Sequence, residues 1–482
     1  EDDMKDIAHE ALDIAMGSGA SFCEVRVLRR RYQGINVKNE SVESLIDHTE
    51  EGIGIRVIVN GAWGFAGTSN LQRDKILESA KRAIQVAKAS SLAKKEDVIL
   101  SPAPKIIATW SNNVKINPFD VSLDKKVSLL IESAKIMGKI RDVKIAEGSM
   151  DFWETEKLFV NSEGTEILQH IIESGGGISA YAIGEGELQR RSYPNSFGGQ
   201  YETRGYELIE EMDLLNNAQR VAEEASALLD APQCPSITTT LILDGSQVAL
   251  QVHESIGHPI ELDRILGMEA SYAGTSFISI GDRGKLKYGS KIMNVSADAT
   301  LPGGLGSFGY DDEGVPAQRI EVIREGVLQN FLTNRETAYI LGETSNGTCR
   351  ADGWGNIPLI RMTNINLESG EGTLEDLIRD TEDGIFMSTN KSWSIDDRRL
   401  NFQFGLEIAW EIKNGKLMGI LKNPNYTGIT PEFWSSLDAV CGPGEWKIWG
   451  VPNCGKGQPG QIAHVGHGTA PARFRNVRVG VR

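Results

Sequence analysis

No stretch of the 482 residues approaches the run of about 18 apolar residues that a membrane-crossing helix requires. The first segment, EDDMKDIAHEALDIAMG, has no basic stretch followed by an apolar core, so no secretory signal is expected in it. Cysteine is scarce. Cys23, Cys234, Cys349, Cys441 and Cys454 are odd in number and widely scattered, which argues against a disulfide framework and for a reducing, cytoplasmic setting. Positive charge is outweighed: 50 Lys and Arg against 66 Asp and Glu leave a net charge of −16, which disfavours nucleic acid and anionic membranes as partners. There is no internal repeat, no low-complexity tract and no nucleophile-elbow motif. Gly304-Leu305-Gly306-Ser307-Phe308-Gly309 matches GxGxxG, but YDDEG follows it instead of a helical pattern, so a dinucleotide fold is not supported. Histidine is rare as well, with seven in the chain.

What is present is globular. Hydrophobic residues make up 40% and charged residues 24%, enough for a sizeable core. Length alone predicts about two to four folded units. Apolar residues at helical spacing predict helices over 4–17, 71–90, 122–139 and 206–229. Asn60-Gly61, Glu325-Gly326 and Asn414-Gly415 sit between alternating runs and predict hairpins. Residues 91–105 hold two prolines and no clean period, which reads as a connector. A meander is expected after Lys144, turning at Ser162-Glu163-Gly164 and again at the Gly175–Gly177 run. Pro232 and Pro235 mark the best boundary. The expected class is α+β: a mixed N-terminal region over 1–232, divisible at 1–100 and 110–232, and a mostly antiparallel β region over 233–482 that carries a short helix.

That short helix lies in LILDGSQVALQVHESIGHPIELDRILG, with Ser246 as the expected cap. Imidazole nitrogens suit borderline divalent metals, and hydrolysis needs a carboxylate beside them to take a proton from water. His253, Glu254 and His258 supply these groups. Their spacing is one residue longer than in HExxH. On a regular α-helix, positions five apart diverge by about 140° and cannot share an ion. A π-type turn would bring them together, and Gly257 would make that distortion cheap. The same residues also fit a polar helix end on the surface.

HESIGHPIELDRI, YDDEGVPAQRIEVIREGVLQNFLTNRETA, VPNCGKGQPGQIAHVGHGTAPARFRNVRVG, EGIGIRVIVNGAWGFAGTSN and YTGITPEFWSSLDAVCG together resemble the TldD/PmbA family. The resemblance spans nearly the whole chain. It implies a zinc peptidase acting on unfolded peptides, with metal ligands at His253, His258 and Cys454 and a general base at Glu254. It also implies a dimer, in bacteria a heterodimer with a TldE/PmbA-like subunit that lacks the metal motif. This chain retains the motif and so looks like the catalytic member; a non-catalytic peptide-binding or scaffold subunit is the alternative. Independently, thiolate is a good zinc ligand, and two histidines plus one thiolate leave a position open for water. Taken by itself, Cys454 reads as a free cysteine in a glycine-rich loop.

The remaining polar groups carry bland expectations. His464 and His467 read as ordinary loop residues, with rival or outer-sphere ligation the sharper alternative. Asp311, Asp312 and Glu313 read as a solvated acidic loop, and Asp396-Asp397-Arg398-Arg399 as a surface charge cluster. Cys234, Cys349 and Cys441 are assigned structural roles.

Overall fold

The computed structural model describes residues 2–458 and 460–480; Pro459, within the late quoted motif, lies outside them. The chain is α+β, and its sheets are mostly antiparallel. An eight-stranded sheet comes first, with the path Ala62–Thr68, Ser41–Val59, Phe22–Lys38, Val143–Asn161, Glu166–Gly184 and Ile107–Ser111. Helices Asp2–Gly17 and Arg73–Ser91 bury alanine-rich stripes, including Ala8, Ala11, Ala80 and Ala83, against Val25, Ile55 and Val57. Leu123–Gly138 and Leu214–Asp230 form a second cluster over Met150, Phe152 and Ile178.

The second large sheet has a ring at its heart. Ile237–Leu243 lies between Asp383–Ile395, to which it is parallel, and Ala472–Val479. The path continues through Asn425–Ile429 to Asn401–Lys413, and the latter also pairs with Asp383–Ile395, which closes the circle. Closure removes the unpaired edges of these strands. Phe404, Tyr426, Phe433 and Phe474 stack in the core beside it. No helix among the described residues is long and apolar enough to cross a membrane.

Several local expectations are corrected. The helix expected over 206–229 is two helices, Glu207–Met212 and Leu214–Asp230, because Asp213 adopts a left-handed φ of 50°. Aspartate tolerates that conformation better than most residues, and its carboxylate accepts bonds from Asn216. Gly175–Gly177 is no turn but the middle of the Glu166–Gly184 strand. A Cβ on Gly175 would lie 1.8 Å from the Tyr201 ring, and one on Gly177 would lie 2.5 Å from Gly199 Cα, so the run admits a crossing segment. Asp311, Asp312 and Glu313 are buried, not solvated. Asp312 pairs with Lys157 at 2.6 Å and Glu313 with Arg56 at 3.0 Å, so these two tie the first sheet to the later half of the chain, while Asp311 accepts from the backbone of Glu313, Val315 and Cys349. Buried carboxylates persist only when partnered in this way.

Candidate metal centre

The strand Ile237–Leu243 ends at Asp244, whose carboxylate accepts from Gln247 N at 3.0 Å and caps the helix Gly245–Val252. The cap is therefore Asp244, not Ser246, which instead donates to it. Every residue of this helix is buried. Its inward polar side chains are satisfied in series: Gln247 donates to Tyr426, Tyr426 to Gln251, Gln251 to Ser255, and Trp434 also to Ser255, all between 2.7 and 3.0 Å. That buried chain fixes the helix rotationally, because turning it would strand several polar groups at once.

The next turn, His253–Gly257, is a π-helix, and His258 N donates to His253 O at 3.2 Å. The wider turn brings the two imidazoles to a centroid separation of 5.0 Å. Gly257 matters for space: a Cβ there would lie 2.2 Å from Met362 Sδ. We expect Gly257→Ala to lower stability by about 1–3 kcal/mol through overpacking at the base of the turn. A urea denaturation midpoint equal to that of the native protein would rule this out.

Cys454 arrives from a strand, Lys447–Gly457, not from the expected loop. This strand pairs with Gly460–Thr469, and the register slips between Val451 and Cys454. Such bulges re-aim side chains beside sites. Cys454 Sγ lies 3.8 Å from His258 Nε2, and the ligand atoms of His253, His258 and Cys454 all lie within 4.8 Å of one another. Tetrahedral zinc, with bonds near 2.3 Å to sulfur and 2.0 Å to nitrogen, would separate those two donors by about 3.6 Å. The donor set fits such an ion.

The electrostatics agree. Burial pushes both imidazoles below their ordinary range. Burial alone would raise the Cys454 thiol, but His258 and Arg361 bring it below the usual value and favour the thiolate. Glu254 lines the same cavity, of about 370 Å³, together with Asp396, Asp397 and Arg399. Arg399 donates to the Glu254 carboxylate. The expected surface charge cluster thus contributes a wall of this cavity, and the positive φ of Arg399, 63°, turns its backbone sharply there.

Sequence reasoning missed the groups behind the three donors. Glu261 accepts at 2.6 Å from His258 Nδ1, and Lys456, fully buried, donates at 2.7 Å to Glu261 and at 2.8 Å to Asp263. Despite burial, Lys456 and then His258 hold the Glu261 carboxyl well below its usual range. Glu261 follows His258 by three residues, and Lys456 shares the strand face of Cys454 at a spacing of two, so both had local signals. His467 had none. It lies in the strand Gly460–Thr469, and its Nε2 is 2.8 Å from His253 Nδ1, so the loop assignment fails for it. His464 is in the same strand and pairs with Glu173 at 3.0 Å, away from the donors.

Known proteins can be set beside this geometry. A family model described as the PmbA/TldA metallopeptidase C-terminal domain matches residues 236–480. Models of domain 1 and of the central domain match 23–87 and 116–229. A metalloprotease of Methanocaldococcus jannaschii is 30% identical, covering 93% of this chain and 94% of its own. A zinc metalloprotease TldD homolog of Saccharolobus solfataricus is 22% identical, covering 96% and 97%. The crystal structure of TldE from Thermococcus kodakarensis superposes with a TM-score of 0.75 at 18% identity, covering 99% of this chain and all of that one.

Proposed function

The chain belongs to the PmbA/TldD metallopeptidase family, and from that premise we propose that it is a zinc-dependent peptidase that hydrolyses unfolded peptides in the cytoplasm. The observation that carries this reading is the meeting of His253, His258 and Cys454 within 4.8 Å beside the cavity that Glu254 lines. Those three residues would hold the ion. Bound there, it would supply Lewis acidity to a peptide carbonyl and lower the pKa of water. Glu254 takes a proton from the attacking water and returns it to the leaving amine. Arg399 keeps the Glu254 carboxylate turned into the cavity, and Glu261 holds the ring of His258 in place. Zinc is favoured over harder ions because one of the three donors is a thiolate, and a relative carries zinc in its name.

The substrate is read as an extended chain added strand-wise, with its backbone recognised more than its side chains. The hairpin-rich C-terminal half motivates this. The expected partner is a second chain of the same fold, either another copy or a TldE/PmbA-like subunit, a reading supported by the likeness to TldE. Elemental analysis joined to a digestion assay tests the whole reading. Stoichiometric zinc is expected, with cleavage of unrelated unstructured peptides and resistance from a folded, loop-poor protein. Undiminished cleavage after full chelation would end the metallopeptidase reading. Comparable digestion of the folded protein would end the strand-addition part alone.

A further inference from the structure

We propose that His467 is a positioning residue that fixes the tautomer of His253 through a one-way chain of hydrogen bonds anchored on the carbonyl of Ile365. The proposal rests on the metallopeptidase reading and extends it to a residue outside the donor set. His467 Nδ1 lies 2.9 Å from Ile365 O. A carbonyl oxygen only accepts, so this nitrogen carries a proton. His467 is fully buried, and the groups that meet its two ring nitrogens are a backbone carbonyl and another imidazole, neither of them anionic. A buried imidazolium there would lack a counter-charge and be costly, so Nε2 keeps its lone pair. That lone pair faces His253 Nδ1 at 2.8 Å, which must therefore donate. His253 is left with its own lone pair on Nε2, the nitrogen not engaged by His467. In the opposite tautomer Nε2 would carry a proton and could not ligate.

The anchor is held firmly. Ile365 belongs to the strand Ile365–Leu367, which pairs with Val295–Asp298. On either side of His467, Gly466 N donates to Thr363 O at 3.1 Å and Gly468 N to Asn366 Oδ1 at 2.7 Å. The His467 and His253 ring centroids are 4.9 Å apart, and the rings stand at 83° to each other. The two histidines of the donor set are thus oriented differently: His258 by the carboxylate of Glu261, and His253 by a neutral ring tied to the backbone.

The test compares two amides at position 467 in the full chain. In His467→Gln the amide oxygen can reach the place of Nε2 and accept from His253. In His467→Asn the shorter amide keeps to the place of Nδ1 and leaves His253 without an acceptor. Zn²⁺ affinity, measured by competition with a chromophoric chelator, should fall about 10–100-fold in His467→Asn and stay near native in His467→Gln. Nitrogen NMR of the metal-free native chain, with labelled histidine, should show His253 protonated on Nδ1. Native Zn²⁺ affinity in His467→Asn, or His253 protonated on Nε2 instead, would overturn the proposal. If the native chain took up no Zn²⁺ at all, the metallopeptidase reading would fail, and the NMR result would still decide the tautomer.

Discussion

Glu254→Gln should lower peptide hydrolysis by about 10²–10⁴-fold, the contribution typical of a positioned general base, while leaving bound zinc at the native level. Glutamine has the shape of glutamate, and its amide oxygen can still accept from Arg399, which donates to this side chain in the native protein. The buried helix before it is fixed by the Tyr426 and Trp434 network, which the substitution does not touch. Loss of rate with retained metal therefore isolates proton transfer. Single-turnover kinetics with an unstructured peptide, alongside elemental analysis, make the measurement. A variant that cleaves at the native rate would remove Glu254 from the mechanism, whatever the metal content.

Cys454→Ala should act on the metal itself. The substitution removes one of three donors and the only thiolate, so zinc affinity should fall by more than the ~10–100-fold that loss of an outer partner costs. Activity should fall with it. The fold has reason to survive: the strand pairing of Cys454 with Ala463 is made by backbone, and Arg361 donates to the Cys454 carbonyl, not to its sulfur. Chelator competition and a thermal melt of the metal-free protein separate the two effects. Retention of native zinc affinity would exclude Cys454 from the donor set.

Much of this was legible because it is local. The hairpin at Asn414-Gly415 rests on two residues that tolerate positive φ, 50° and 70° here, between alternating strands. The π-turn followed from counting: a donor spacing of five cannot close on a regular α-helix, and the turn His253–Gly257 is wide enough. Other features were illegible because the deciding contact is distant in sequence. Gly175–Gly177 reads as a turn until Tyr201 is seen lying on it. Asp311, Asp312 and Glu313 read as solvated until Lys157 and Arg56 arrive from the first sheet. Arg399 reads as surface until the turn it sits in folds over Glu254.

By itself the sequence determined the residue types of the centre, the α+β class, the helix that carries His253 and His258, and the family resemblance. These depend on periodicity, capping and motif spacing, which act over a few residues at a time. That Cys454 meets the two histidines was offered in the sequence only through the family resemblance, and tertiary structure alone decided how it does so, that His467 stands behind His253, and that Lys456 neutralises the carboxylate holding His258. Each of these contacts joins residues about 200 apart in the chain, brought together by an antiparallel hairpin whose register a bulge has shifted. Pairing across that distance is set by burial and by backbone hydrogen bonds within the whole sheet, and no short stretch of sequence encodes it.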